Sequence, residues 1–133
     1  MGGYYISRHY IRMKLIIHRE TRVEDIQQSF NSYYPFLRIQ FYSPSHPKDG
    51  LAKATPLSGK LSDILFRETS HLTLDIHSAY SIAAIEDSCR AMGLQALISR
   101  KGGSVWVEIL LTKNWSLDQQ NKAGAALCGG ITD

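Results

Sequence analysis

The chain contains one structural unit twice. Each copy reads strand, helix, strand, because period-two alternation is followed by apolar residues spaced three and four apart and then by alternation again. The repeat therefore constrains the architecture, but by itself it predicts no chemistry. A shift of 59 positions aligns the two copies at these pairs: Leu15 with Leu74, Ile17 with Ile76, His18 with His77, Val23 with Ile82, and Ile26 with Ile85.

The first copy begins near Met13, which leaves residues 1–12 as an N-terminal extension, disordered in one interpretation, and makes Met13 a candidate natural start. Thr21 and Glu24 have the spacing of a capping box, in which a hydroxyl and a carboxylate accept hydrogen bonds from reciprocal backbone donors. The pattern predicts a strand at 14–18, a helix from Arg22 and a second strand at 37–42.

The repeat units cover about 13–42 and 72–99, and they are separated by an insertion, residues 43–70, that is rich in Pro and Gly. A connection of that length inside a compact domain is mobile or functional. After the second unit, 100–103 predicts a hairpin that adds a fifth strand, and Ser116 with Gln119 predicts a capped last helix. We assign 13–128 to one domain and 129–133 to a tail.

Tandem strand-helix-strand units favour an α+β fold of the ferredoxin-like sandwich type, with both helices on one face of an antiparallel sheet. The added C-terminal strand and helix extend that sandwich. The alternative is a parallel sheet with two classical crossovers. Parallel strands read as nearly continuous apolar runs, and Arg38, Gln40, Thr73 and Asp75 interrupt them, so the antiparallel sheet is preferred.

Composition limits the environment and the partners of the chain. Cys89 and Cys128 do not have the spacing of a disulfide framework or a zinc site, so a reducing cytoplasm is expected. No apolar run reaches the roughly 18 residues that cross a bilayer, so no membrane association is expected. Residues 1–60 hold nine Lys/Arg and four Asp/Glu, a net +5, while the whole chain carries +3. Nucleic acid is the less favoured partner, since a solvated basic leader explains this excess.

The paired histidines do not predict a metal site. His18 and His77 end the first strand of each copy, and in an antiparallel sheet those ends lie about 17 Å apart at about 3.3 Å per residue. No metal and no cofactor are therefore predicted. Cys89 aligns with Phe30 and should pack in the core as a small apolar residue.

The open face of the predicted sheet is the candidate ligand or interface surface. An RNA-binding sheet would need aromatic residues on its central strands, where this chain has Ile16 and Asp75. A small ligand or a dimer contact fits the mixture of polar and apolar residues better. The candidate residues are Ile16, His18, Arg38, Tyr42, His77, Leu97 and Trp106.

Residues 93–108 and 112–121 resemble the C-terminal half of a set of small uncharacterised bacterial proteins. Those proteins share a sequence pattern. It begins with Gly-Leu and an alternating strand, continues with Arg-Lys-Ser-Gly and Trp, and ends with Asp-x-Trp-Thr-Leu and Gln-Asn. This chain departs from the pattern at Gly102-Gly103 and at Asn114. The resemblance implies a compact domain with a hairpin and a helix entry at Trp115, and it implies no catalytic residue.

These observations favour a small non-enzymatic cytoplasmic module that binds a small ligand or protein partner and forms a homo-oligomer. One alternative is a small enzyme whose site forms where 43–70 closes over His71 or His77 and Arg38. The other alternative is a weak nucleic-acid binder that uses the basic leader and the Arg100-Lys101 turn.

Overall fold

The computed structural model describes residues 14–18, 20–42, 56–61 and 71–128. The strand-helix-strand order of both copies, the added strand and the last helix are confirmed. Four parts of the predicted organisation lie outside the described residues: the N-terminal extension, residues 43–55 and 62–70 of the insertion, and the tail. The elements are β1 (Lys14–His18), α1 (Val23–Tyr33), β2 (Leu37–Tyr42), β3 (His71–Asp75), α2 (Ile82–Ala91), β4 (Gln95–Gly102), β5 (Val105–Glu108) and α3 (Leu117–Leu127).

The described strands form two antiparallel sheets. β1 pairs with β3 in a two-stranded sheet, and β2, β4 and β5 form a three-stranded sheet in that order. The α+β class is confirmed, and the parallel arrangement does not occur among these strands. The antiparallel pairing of the two first strands, β1 and β3, agrees with the predicted sandwich. The ferredoxin-like arrangement is not confirmed, because the second strands, β2 and β4, pair with each other in a separate sheet instead of flanking the first strands. Each repeat helix therefore connects a strand of one sheet to a strand of the other.

Helix α1 begins one residue later than predicted because a different acid caps it. The Arg22 N–H donates to Asp25 Oδ2 at 3.0 Å, while the Thr21 hydroxyl accepts from the His18 N–H at 2.8 Å. The predicted capping box of Thr21 with Glu24 is therefore wrong. The Thr21 N–H also donates to the His18 carbonyl oxygen, so Thr21 forms a turn at the end of β1. Its hydroxyl is already engaged in this turn by the His18 N–H.

The caps of the other two helices agree with the sequence. Ser81 Oγ accepts from the Ala84 N–H and begins α2, and Gly93, with φ +93°, follows its end. At α3, the Gln119 N–H donates to Ser116 Oγ at 3.1 Å, and the Ser116 N–H donates to Gln119 Oε1 at 2.9 Å. This reciprocal pair confirms the predicted capping box.

One hydrophobic cluster takes its buried residues from both sheets and from all three helices. Among its fully buried members, Phe30 on α1 and Cys89 on α2 are equivalent positions of the repeat, as the alignment predicts. The Tyr34 hydroxyl donates to the Ile76 carbonyl oxygen at 2.7 Å and joins the two copies inside this core. Burial raises the pKa of Tyr34 well above its ordinary value, so the phenol stays a donor.

The repeat extends beyond strand, helix and strand. In each copy a return segment, Gly59–Leu61 or Trp115–Leu117, comes back to the start of the repeat helix. The Leu61 N–H donates to the Thr21 carbonyl oxygen and the Leu117 N–H to that of Tyr80, at 3.0 and 2.8 Å. The described end of the insertion therefore has a counterpart in the second copy, which the sequence alignment missed.

The two return segments also form equivalent β-bridges. Arg22 is bridged to Lys60 and Ser81 to Ser116, both antiparallel, and Arg22 and Ser81 are the N-cap residues of α1 and α2. Glu24 accepts from the Gly59 N–H, and hydrogen bonds from its own N–H and from Gly59 lower its pKa. Each return segment thus fixes where a repeat helix begins.

Candidate functional site

The three-stranded sheet has one buried face and one open face. Because directly paired residues of antiparallel strands lie on the same face, the register assigns every side chain. The buried face carries Leu37, Ile39, Phe41, Ala96 and Ile98 into the core. The open face consists of Arg38, Gln40 and Tyr42 on β2, Gln95, Leu97, Ser99 and Lys101 on β4, and Trp106 and Glu108 on β5.

A cluster of two cations and one indole occupies one end of the open face. The Arg38 guanidinium carbon lies 5.0 Å from the Trp106 ring centroid, and Lys101 Nζ lies 5.6 Å from it. Arg38 and Trp106 stand on the outer strands, so their contact spans β4. Ser99, opposite Arg38 on β4, has a small buried side chain that permits this approach. Arg38, Lys101 and Trp106 are called the cation–indole cluster below.

Among the residues that the structure describes, the cations of this cluster have no acidic partner. Within the described ranges, every ion pair lies elsewhere, and neither Arg38 nor Lys101 has a carboxylate oxygen within 4.0 Å. The Arg38 Nε atom is buried and has no hydrogen-bond acceptor in the described part of the chain. A buried donor without an acceptor costs about 1–3 kcal/mol, so an orphaned Nε–H requires a physical explanation.

The remaining candidates on the three-stranded sheet are more enclosed than predicted. Tyr42 is buried, at 5% exposure, although the register places it on the open face, and its hydroxyl lies 3.5 Å from Gln40 Oε1. Leu97 is half-buried opposite Gln40. The open face is therefore accessible mainly at its end near the β4–β5 turn.

The other candidates lie on the two-stranded sheet, so the single open face predicted from the sequence is divided. Ile16 and His18 are exposed on β1, with Ile16 opposite Thr73. His18 pairs in register with His71, whereas His77 follows the other end of β3, so the predicted separation of His18 from His77 is confirmed. The His77 ring accepts from the Ala79 N–H through Nδ1 at 3.0 Å.

The Arg100-Lys101 turn does not present its two cations together. Lys101 lies on the open face, but Arg100 lies on the opposite face and donates to Gln120 Oε1 at 2.9 Å. Gln120 is fully buried on α3 and donates in turn to the Thr112 carbonyl and hydroxyl oxygens. Arg100 is therefore a structural residue, and the basic turn predicted for nucleic acid is split by strand alternation.

The suggested enzyme site is also divided between the sheets. Arg38 belongs to the three-stranded sheet, while His77 follows β3 of the two-stranded sheet. The insertion segments that would close over them lie outside the described residues. Cys89 is buried as predicted, and desolvation raises its pKa to about 12, so it is a poor nucleophile.

Sequence reasoning missed a buried carboxylate. The Glu86 side chain on α2 is buried and accepts from Lys113 Nζ at 3.1 Å and from the Ile98 N–H at 3.3 Å. Both oxygens have partners, which makes Glu86 a connection between α2 and β4. Its place on the buried stripe beside Ile82, Ile85 and Cys89 was the available signal.

The described residues hold neither a metal-ligand cluster nor a membrane-spanning helix. No group of three or more His, Cys, Asp or Glu side chains among them has the arrangement of a metal site. None of the helices in the described ranges is long and apolar enough to cross a bilayer. The fold and this face define a mixed α+β domain with a basic, partly aromatic sheet surface. Comparison with family models, with curated proteins and with solved structures gives no match for this chain.

Proposed function

We propose that this chain is a non-enzymatic interaction module that self-associates by pairing the edge of β5 with β5 of a second copy. The observation that supports this proposal is that β5 is an edge strand with exposed apolar side chains. Val105 and Val107 are 57% and 48% exposed, and Leu110 and Leu111, just beyond the strand, are 69% and 93% exposed. Exposed apolar edge strands are templates for pairing with another chain.

The hairpin fixes which backbone groups of β5 point outward. Gly103, with φ +70°, and Ser104 form a two-residue turn closed by the pair Gly102 and Val105. The two residues that close such a turn hydrogen-bond to each other through both backbone groups. From there, hydrogen-bonded and non-hydrogen-bonded pairs alternate along the hairpin. Val105 and Val107 therefore bond to β4, while Trp106 and Glu108 direct their N–H and C=O groups to the free edge.

The opposite edge of the three-stranded sheet is less available. The Leu57 N–H donates to the Phe41 carbonyl oxygen at 2.8 Å, so the backbone at Leu57 occupies the outer side of β2 at Phe41. In the described part of the chain, no strand pairs with the outer side of β5. This difference between the two edges selects β5 as the docking edge.

A two-fold axis at Val107 gives the fullest pairing of two β5 strands. Trp106 of one copy then exchanges two backbone hydrogen bonds with Glu108 of the other, and the symmetric pair doubles this to four. Val107 lies opposite its own equivalent on the face shared with Val105. Such an isologous contact needs one self-complementary patch, which these valines supply.

Two further parts of the proposal have indirect support. Cys89 and Cys128 are both free thiols, which suits the proposed cytoplasmic location. The resemblance of residues 93–121 to small bacterial proteins stays a prediction. It draws attention to the segment that contains β5, but it supplies no activity.

Self-association is tested by placing a charge in the proposed interface. Val107→Lys is expected to convert a dimer of the full chain into a monomer at micromolar concentration, because two lysines would face each other across the axis. Sedimentation velocity measures the mass of each species. Ile16→Lys is the matched control, since Ile16 is an exposed strand residue, 54% accessible, on the two-stranded sheet.

Three results would count against this proposal. A monomeric wild-type chain at all accessible concentrations would remove self-association. A dimer unaffected by Val107→Lys but dissociated by Ile16→Lys would place the interface on the two-stranded sheet. A dimer unaffected by both substitutions would exclude both surfaces.

A further inference from the structure

We propose that the cation–indole cluster is an anion site that binds a phosphate monoester through Arg38 and Lys101. This inference rests on contacts within one chain and does not require self-association, although the proposed pairing of β5 places Glu108 of the second copy opposite Trp106 on the same face. Its first support is the buried Arg38 Nε without an acceptor. Guanidinium groups bind phosphate oxygens through parallel N–H donors, so a rotation of the Arg38 side chain that brings Nε to the surface would let a bound phosphate give this donor the partner it lacks.

The indole keeps the guanidinium in position without neutralising it. A cation at 5.0 Å from the Trp106 centroid is attracted by the ring quadrupole, yet it keeps its full charge and its in-plane N–H donors. An ion pair would instead occupy those donors. Trp106 therefore acts as a positioning residue for Arg38 and Lys101.

The charges favour a dianion over a carboxylate. Arg38 and Lys101 place two positive charges around one ring, and Glu108 is the acidic residue of the open face. Glu108 lies across β4 from Arg38 and is exposed, so water screens its opposing charge. A phosphate monoester carries a charge of about −1.5 to −2 at neutral pH and matches this pair, whereas a carboxylate neutralises one of the two cations.

The same geometry argues against stacking of a nucleic-acid base. Base stacking needs an accessible aromatic face, and contacts with Arg38 and Lys101 leave less of the half-buried Trp106 ring accessible to a base. The apolar surface proposed for self-association lies on the other face of the sheet, where Val105 and Val107 point. Variants of Arg38 and of Val107 can therefore test the two properties separately.

The test is a titration of the ¹⁵N-labelled full chain with inorganic phosphate, in which the Arg38 Nε–H resonance is followed by NMR. Ionic strength is fixed at about 0.15 M with chloride, because screening would otherwise change along the titration. We expect a saturable shift with a Kd on the order of 1 mM, the scale of a few charge-assisted hydrogen bonds. Acetate at the same concentration should give a response at least about tenfold weaker, because it offers half the charge.

Variants assign the response to the cluster. Arg38→Gln should weaken phosphate binding about tenfold or more, followed through the Trp106 Nε1–H signal, and Lys101→Gln should weaken it several-fold. Arg90→Gln is the matched control, since Arg90 is an exposed arginine that pairs with Asp87 on α2. If Arg38→Gln does not fold, Lys101→Gln still tests the site, because Lys101 lies at the rim of the face.

Several outcomes would overturn the phosphate site. These are no saturable shift up to about 20 mM phosphate at the fixed ionic strength, an equal response to acetate, or equal weakening by Arg90→Gln. A thymidine oligonucleotide without terminal phosphates that binds far more tightly than phosphate would indicate a nucleic-acid surface instead. Retention of full affinity in Lys101→Gln would remove Lys101 from the site and contradict the two-cation argument.

Discussion

Replacing Leu117 by alanine is expected to lower the free energy of unfolding by about 2–5 kcal/mol, and Leu61→Ala should do the same. Both leucines are essentially inaccessible, at 0% and 1% exposure, and both end a return segment that contacts the start of a repeat helix. Truncation of a buried leucine removes its transfer free energy and leaves a cavity. Small domains have a total stability of about 5–15 kcal/mol, so either loss is large.

Urea unfolding followed by circular dichroism measures this effect, with Leu111→Ala as the control. Leu111 is 93% exposed, so its truncation should change stability by less than about 0.5 kcal/mol. If Leu61→Ala behaves like Leu111→Ala while Leu117→Ala is strongly destabilising, the return segment of the first copy does not belong to the core. The structural equivalence of the two segments would then be wrong.

Gly124→Ala is expected to destabilise the domain by about 1–3 kcal/mol, although alanine is the better helix former. Glycine inside a helix costs about 1 kcal/mol relative to alanine, so propensity alone predicts stabilisation. Gly124, however, is buried where α3 crosses Phe36 and Arg100. An added Cβ would lie 2.7 Å from Phe36 Cβ and 3.2 Å from the Phe36 carbonyl oxygen. Overpacking of this kind forces α3 away from the sheet.

The control for Gly124→Ala is Ala126→Gly on the exposed side of α3. It changes helix propensity in the opposite sense and adds no steric contact, so we expect a loss of at most about 1 kcal/mol, because Ala126 lies in the last turn of α3. Thermal unfolding of the two variants beside the wild type separates propensity from packing. A more stable Gly124→Ala variant would show that α3 is not packed as closely as the structure has it.

The faces of individual strands could be predicted from the sequence, because alternation with period two does not depend on neighbouring strands. Arg38, Tyr42 and Leu97 were assigned to one face on that basis, and the register places them together. Sheet membership could not be predicted, since nothing in an alternating segment specifies which edge it pairs with. Ile16 was therefore grouped with Leu97 and Trp106, although it lies in the other sheet.

The contact of Arg38 with Trp106 could not be predicted from the sequence for the same reason. It depends on β4 lying between β2 and β5 and on the small Ser99 between two long side chains. The return segments were missed because Leu61 and Leu117 are related by a shift of 56 positions, whereas the strands and helices are related by 59. A search that allowed a short gap after the second strand would have found them.

An intersubunit disulfide at Val107 is the most direct test of β5 pairing. Val107→Cys is combined with Cys128→Ser, and buried Cys89, whose pKa is raised to about 12, stays unreactive. Across the proposed axis the two cysteines form a non-hydrogen-bonded pair with Cα atoms about 4.5 Å apart, within the range of a disulfide. Intact mass after mild oxidation should show mostly covalent dimer, whereas Ile16→Cys in the same background should stay mostly monomeric. Crosslinking of Val107→Cys no faster than that of Ile16→Cys would contradict self-association through β5.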